Sequence, residues 1–240
     1  MATYFISDLH LQESHPDIMA HFVRFCETDA LTADTVYILG DLFEYFIGDD
    51  DKRELLKTVE STLQCLSQKV PVYFIAGNRD FLLGKKFAKR AGLTLLTEPA
   101  RIDLYGTPFI VLHGDLLCSD DKEYQAFRQK VRRPWFQKLY LMLPLFLRQK
   151  IADKARQKSA EHIQNTEIKI QDVNQDTVKN MLQQHQVFHM IHGHTHQAAI
   201  HSFMLEKGRA KRFVLGDWTD KKAMILKYEP NHQYELFSWI

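Results

Sequence analysis

Seven side chains scattered along this 240-residue chain are of types that hold hard or borderline metal ions: Asp8, His10, Asp41, Asn78, His113, His194 and His196. Asp8 and His10 lie two apart, so from an extended loop both can face one ion, and His194 and His196 repeat that spacing. Asp41 has two oxygens and can bridge two ions; Asn78 offers a carbonyl oxygen and His113 an imidazole nitrogen. The set has no thiolate and only two carboxylates, which suits Mn²⁺ best, with Fe²⁺, Zn²⁺ or Mg²⁺ as alternatives. Two divalent ions against two carboxylates leave about two positive charges uncompensated, a balance that favours hydroxide and phosphate oxygens.

Each of these clusters follows a short run of β-formers. Tyr4–Ile6 leads to Asp8-Leu9-His10, Thr35–Leu39 to Gly40-Asp41, and Val72–Ile75 to Gly77-Asn78-Arg79-Asp80. Phe109–Leu112 leads to His113-Gly114-Asp115, and Val187–Ile191 to His192-Gly193-His194-Thr195-His196. In open α/β sheets, sites form at the carboxyl ends of strands, so five clusters at five strand ends converge on one place. Helical patterns at Asp17–Glu27 and Lys52–Ser67 alternate with the first three strands, which argues for an α/β layered fold. Short strands follow at Phe213–Leu215, Ala223–Tyr228 and Tyr234–Phe237. Residues 119–180 break the alternation with helices expected near Lys122–Lys130, Pro134–Leu143, Leu145–Gln164 and Asp176–Gln184. The expected organisation is a core of residues 1–118 and 181–240 with a helical cap, 119–180, inserted in it. Asp49-Asp50-Asp51 reads as the N-terminal cap of the helix starting near Lys52.

The composition is that of a globular protein, 45% hydrophobic and 25% charged, and excludes a disordered tail, a collagen-like fibre or a coiled-coil rod. Three widely spaced cysteines make no disulfide framework and fit a reducing compartment. The N-terminus shows no signal-peptide pattern, and the longest apolar run, Leu139–Leu147, is half a membrane span; a cytoplasmic protein is expected. Charge is nearly balanced overall, 31 Lys and Arg against 30 Asp and Glu, but residues 128–158 carry ten cations and one acid, Asp153. Trp135, Phe136 and the Leu139–Leu147 run are interleaved with those cations. Such a segment suits an interfacial membrane contact or a greasy chamber over the metals, and suits lipid better than a nucleic acid.

The five motifs, in order and each after a strand, resemble those of the calcineurin-like metallophosphoesterases: Asp8-x-His10, Gly40-Asp41, Gly77-Asn78-Arg79-Asp80, His113 and Gly193-His194-x-His196. Within that superfamily the chain is similar to the UDP-2,3-diacylglucosamine hydrolases of lipid A biosynthesis. That likeness runs through Ile38–Glu44, Ile47-Gly48-Asp49-Asp50, Gly77–Gly84, Tyr124-Gln125-x-Phe127-Arg128, Asp172-Val173-Asn174 and Ile191–His196. The resemblance implies a β-sandwich flanked by helices, αββα, with a helical cap. It implies cleavage of the pyrophosphate of UDP-2,3-diacylglucosamine to UMP and 2,3-diacylglucosamine 1-phosphate, by a hydroxide between two metal ions attacking the uridylyl-side phosphorus. Asp8, His10, Asp41 and His196 would hold one ion, and Asp41, Asn78, His113 and His194 the other. Arg79 stands where the superfamily usually has His. A phosphate leaving group with a pKa of about 6 needs charge compensation more than a proton, which a guanidinium supplies. Arg79 and His194 would neutralise charge in the transition state. Asn78, Arg79, Asp121, Ser159 and His194 would contact substrate, with Tyr124 and Arg156 at the polar mouth of the cap. Two positions a little beyond Ser159 are Ile163 and Thr166, which departs from the family's polar pattern. The implied setting is a monomer on the cytoplasmic face of a Gram-negative inner membrane. A soluble nucleotide pyrophosphatase or phosphodiesterase on the same scaffold is the alternative.

Overall fold

The computed structural model describes residues 2–165 and 173–240, with side chains for all of these except 158–165. Thr166 lies outside the described residues, as do the side chains of Ser159 and Ile163.

Period-2 alternation in the first strands builds two layers at once. In β1 (Thr3–Ile6), Tyr4 and Ile6 point to one side and Phe5 to the other; in β2 (Thr35–Leu39), Val36 and Ile38 oppose Tyr37 and Leu39. Strands buried on both faces need apolar residues at every position, which is why they were legible as continuous runs. β1, β2, β3 (Val72–Ile75) and β4 (Leu93–Leu96) pair in parallel, and β11 (Lys222–Tyr228) joins β1 antiparallel. β10 (Trp218–Thr219) and β12 (Tyr234–Ser238) flank β11 to complete a seven-stranded sheet. A second, five-stranded sheet has the order β5 (Ala100–Leu104), β6 (Thr107–Val111), β7 (His189–His192), β9 (Gly208–Val214), β8 (Ala199–Leu205), with β6, β7 and β9 parallel. Phe5, Tyr37, Leu39 and Ile75 of the first sheet meet Phe109, Val111, Ile191 and Phe213 of the second in one core.

The outer face of the first sheet is covered by α1 (Pro16–Glu27), α2 (Glu54–Ser67) and α3 (Lys85–Ala91). Phe22 and Phe25 of α1 and Val59 and Leu63 of α2 are fully buried there, each worth roughly 1.5–3 kcal/mol of transfer free energy. Pro16 at the first turn and Asp17 behind it suit the start of α1, and Gly92 in left-handed backbone (φ 71°) ends α3. The layers are therefore helix, sheet, sheet, helix. The outermost layer is α7 (Gln175–Gln184), opened by Asn174 accepting hydrogen bonds from the backbone N–H groups of Asp176 and Thr177. Its Val178 and Leu182 are buried with Ile110, Leu112 and Met190. This helix was expected in the cap, and it packs on the second sheet instead.

The remaining helices form the inserted segment: α4 (Lys122–Val131), α5 (Pro134–Leu141) and α6 (Leu145–Asn165). No residue of α5 is buried. One fastening of the insert is Arg148, only 2% exposed. Its Nη1 donates to Ile47 O (2.7 Å) and Asp50 Oδ1 (2.8 Å), its Nη2 to Asp50 Oδ2 (2.5 Å) and its Nε to Leu143 O (2.9 Å). The acidic triplet thus has three separate tasks, unlike the single cap expected of it. Asp49 accepts from the N–H groups of Gly84 and Lys86 at the start of α3, Asp50 grips Arg148, and Asp51 holds Arg53, which precedes α2.

Arg148→Ala is expected to destabilise the protein by about 2 kcal/mol, near 4–8 °C in Tm, and to expose the insert to trypsin. The Asp50 carboxyl is held below the usual carboxylate range, chiefly by its hydrogen bond from Arg148. Its contribution is therefore complete above the unfolded carboxylate value of about 4 and is lost as pH falls through the lower folded value. Asp50→Asn should remove that acid-sensitive part of the clamp, read as a flatter plot of Tm against pH below about 4.

Candidate metal centre

Because β1, β2 and β3 run parallel, as do β6 and β7, their carboxyl ends open onto one edge of the sandwich. All seven expected ligands are gathered there. Asp8 and Asp41 follow β1 and β2, Asn78 follows β3, His113 follows β6, and His194 and His196 follow β7.

The backbone that presents them is unusual. Asp8, His10, Asp41, His194 and His196 all have positive φ, between 48° and 72°. A left-handed residue other than glycine costs about 1–2 kcal/mol, least for Asp, Asn and His. Hydrogen bonds hold the turns in place. Asp8 N donates to Gly40 O (3.1 Å), His10 N to Asp41 O (3.0 Å), and His194 N to Asp8 Oδ2 (2.9 Å). The glycines of the motifs leave room for this crowding: a Cβ on Gly77 would stand 2.1 Å from Asp41 Oδ1, and one on Gly40 2.6 Å from His113 Nδ1.

Two groups of donor atoms result. Around the first, Asp8 Oδ1 is 3.5 Å from His196 Nε2, His196 Nε2 is 3.4 Å from His10 Nε2, and His10 Nε2 is 3.7 Å from Asp41 Oδ2. Around the second, His113 Nε2 is 3.6 Å from Asp41 Oδ1 and 2.9 Å from Asn78 Oδ1, which is 3.1 Å from His194 Nδ1. Asp41 gives one oxygen to each group. Asp8 Oδ1 is fully buried with no hydrogen-bond partner among the described residues, while its Oδ2 accepts from Ser7 Oγ and His194 N. A carboxylate oxygen without a donor, facing imidazole nitrogens, fits the donor set of a cation.

The electrostatics agree. Burial opposes ionisation of Asp8, but the neighbouring imidazoles of His196, His113 and His10 outweigh it and hold the carboxyl low. Burial opposes protonation of His113 as well, yet Asp41, Asp8, Asp115 and Glu98 push its pKa up to about 9. Burial and the neighbouring His113 charge bring His194 down to about 4. Burial and the Asp41 carboxylate raise Asp80 to about 7, although its oxygens accept from the N–H groups of Gly77 and Leu42. Three buried carboxyl groups, Asp8, Asp41 and Asp80, thus crowd one region, a setting that suits divalent ions.

One residue not anticipated as part of the site is Glu44. Its Oε2 is 3.0 Å from His10 Nδ1, which fixes the ring with Nε2 toward the centre, and its Oε1 is 3.8 Å from Arg79 Nη1. Its place three residues after Asp41 was the signal in the sequence. His192 is buried and neutral, its pKa brought to about 3 by burial and the Arg212 charge; its Nδ1 is bonded to Gly193 O. Asp121 caps α4 by accepting from Tyr124 N (2.9 Å). The hydroxyl of Tyr124 donates to Asp115 Oδ2 (2.7 Å) and its ring stacks beside His194. Arg156 does line an opening, a cavity of about 620 Å³ shared with Glu44, Arg79, Asp153 and Gln157. Nε of Arg79 and Nε of Arg156 are buried with no acceptor among the described residues.

Parallel strands that converge on a paired carboxylate and imidazole cluster define a metal-dependent phosphoesterase, and the chain belongs to the calcineurin-like phosphoesterase family, which it matches over residues 1–198. Its curated relatives are more specific. It is 49% identical over 226 residues, 94% of each chain, to the UDP-2,3-diacylglucosamine hydrolase of Escherichia coli O81 (strain ED1a), and equally to that of Escherichia coli (strain K12 / DH10B). A solved archaeal phosphodiesterase aligns over 99% of both chains with 12% identity and a TM-score of 0.48.

Gly77→Ala is expected to leave the fold intact but to displace Asp41 and weaken divalent-ion binding by roughly 10–100-fold in a Mn²⁺ titration. Since the His113 proton must leave before its nitrogen can hold a cation, apparent affinity should rise with pH up to about 9. The slope contributed by this one proton is about tenfold per pH unit below that value, measurable by titration at several pH values.

Proposed function

We propose that this protein is a metal-dependent hydrolase that cleaves the pyrophosphate of UDP-2,3-diacylglucosamine into UMP and 2,3-diacylglucosamine 1-phosphate, with Mn²⁺ as the working ion. Asp8, His10, Asp41 and His196 hold one ion, and Asp41, Asn78, His113 and His194 the other. Two such ions, when bound, polarise phosphoryl oxygens and generate a nucleophile from water at neutral pH. The remaining work falls to the chain itself. Arg79 supplies fixed positive charge to the phosphate that departs, with Glu44 holding its guanidinium beside the site. His194 is neutral and therefore available as a nitrogen donor. Asp41 Oδ1 accepts from Arg79 N (2.9 Å), which sets the distance between the guanidinium and the centre.

The observation that carries this reading is the pair of unsatisfied guanidinium donors, Arg79 Nε and Arg156 Nε, beside the carboxylate and imidazole cluster. Arg156 Nη2 donates to Asp153 Oδ1 (2.8 Å) and both guanidinium groups stand near Glu44, yet each keeps an Nε–H with no acceptor among the described residues. Two forked cations at one opening suit an anionic ligand with several oxygens, such as a pyrophosphate. The relatives' name supplies the rest of the substrate. Asp121 and Ser159 belong to this reading as headgroup contacts by resemblance. The insert offers apolar surface for the acyl chains: Trp135, Leu139, Leu141, Met142, Leu145 and Phe146 are all exposed, Met142 by 74% and Phe146 by 61%. Lys138 and Lys150 accompany them, which suits a cytoplasmic enzyme resting on an anionic inner-membrane surface. No helix among the described residues is long and apolar enough to cross a membrane. All seven ligands come from one chain, so a monomer suffices.

Incubated with Mn²⁺ and UDP-2,3-diacylglucosamine, the protein should release UMP, and Asp41→Ala should cut the rate at least 100-fold, the upper range for loss of an outer-shell partner alone. Equal turnover of an acyl-free UDP-sugar would point instead to a soluble nucleotide pyrophosphatase. Truncating Leu141, Leu145 or Phe146 to alanine should raise KM for acylated substrate about three- to tenfold each while leaving Mn²⁺ affinity unchanged. Equal effects on deacylated substrate would remove the acyl-binding role.

A further inference from the structure

Arg128 and Arg132 lie within the basic stretch of the insert, yet neither is a solvated cation. Arg128 projects from α4 into the core, where its Nε donates to Asp115 Oδ2 (2.7 Å) and its Nη2 to Glu98. Arg132, one residue beyond the helix, places Nη1 3.1 Å from Glu98 Oε1 and donates from Nη2 to Gly77 O (2.9 Å) and Ala76 O (3.3 Å). The acids are deeper still: Asp115 is fully buried and the Glu98 side chain is 7% exposed. Two cations and two anions cancel, so the cluster is electrically neutral but expensive to desolvate.

Apolar packing could replace the charges but not the hydrogen bonds that leave the cluster. Glu98 Oε2 accepts from the backbone N–H of His113 (3.1 Å). Arg132 grips the two carbonyls just before Asn78. Asp115 Oδ2 accepts from the hydroxyl of Tyr124, whose ring lies 6.3 Å from that of His194 at an angle of 25°. Each tie ends on the segment of a different expected ligand: Asn78, His113 and His194. These are the residues assigned above to the second ion, and they come from β3, β6 and β7, which belong to two different sheets. No backbone ladder joins the end of β3 to the end of β6. Apart from the contact of His113 with Asn78 itself, they are bridged by one guanidinium and one carboxylate, Arg132 to Glu98.

We propose that Arg128, Arg132, Glu98 and Asp115 are positioning residues that hold the second metal position in register across the two sheets, so that the first helix of the insert is a structural part of the centre. This rests on the metal-dependent reading above, but not on the identity of the substrate. The planar fork of Arg132 is what reaches Glu98 and two carbonyls together, and a lysine carries the charge without that geometry.

The experiment compares Arg132→Lys and Glu98→Gln with the unaltered full-length protein by Mn²⁺ titration, by thermal melting with and without Mn²⁺, and by steady-state kinetics. The expected result is that metal-free Tm moves by only a few degrees, while one of the two Mn²⁺ affinities falls roughly 10–100-fold and the Mn²⁺-induced rise in Tm shrinks. With substrate, kcat should fall and KM should stay within about threefold. A large loss of metal-free Tm with both Mn²⁺ affinities unchanged would overturn the proposal in favour of a purely structural cluster, as would no change in any readout. If the unaltered protein binds two Mn²⁺ but leaves the acylated UDP-sugar intact, the substrate reading fails while the titration still decides the proposal.

Discussion

Two negative charges removed from water, on Asp8 and Asp41, dictate much of what surrounds them. An isolated buried carboxylate is strongly unfavourable, so each must be met by donors or by positive charge. Here the protein answers with partial measures. Backbone N–H groups reach Asp8 Oδ2 and Asp41 Oδ1, a serine hydroxyl supports Asp8, and imidazoles stand 3.5–3.7 Å from the oxygens that remain. Asp8 Oδ1 is left with nothing among the described residues. The arrangement is short of positive charge by design of its geometry, and that shortage is the affinity for divalent ions.

The same logic separates two populations of cation in and beside the insert. Arg128, Arg132 and Arg148 are spent on acids of the core, the buried Asp115 and Glu98 and the exposed Asp50. Arg79 and Arg156 keep a free donor beside the centre. Tyr45 lies between the guanidinium groups of Arg53 and Arg156, 4.1 and 4.6 Å from its ring centroid, which steadies Arg156 from below without using up its Nε–H. A sequence count of ten cations in residues 128–158 therefore overstates the charge available to a ligand or a membrane.

The site was legible because its ligands follow strands that are buried on both faces. Tyr4–Ile6, Thr35–Leu39 and Val72–Ile75 are unbroken apolar or β-branched runs, and each ends in its motif. The edges were not legible. Leu93–Leu96 and Ala199–Leu205 carry exposed polar residues, Thr94, His201 and Ser202, and Lys85–Ala91 is a helix of seven residues with four cations. Partners distant in sequence were hidden as well. Nothing local says that Arg148 will find Asp50, or Arg132 the carbonyl of Gly77, because those pairings depend on how the insert lies against the core. α7 was misplaced for the same reason: its boundary with the insert is set by Val178 and Leu182 packing on the second sheet, not by any break in composition.

Five of the ligands occupy left-handed backbone, and this has an evolutionary consequence. Glycine at any of these positions would relieve torsional strain while deleting a donor atom. In the apo state such a substitution could make the polypeptide sturdier even as it destroyed turnover. Drift toward an inert but more robust relative is thus thermodynamically downhill, and only selection for chemistry keeps aspartate and histidine where the chain would fold more comfortably without them.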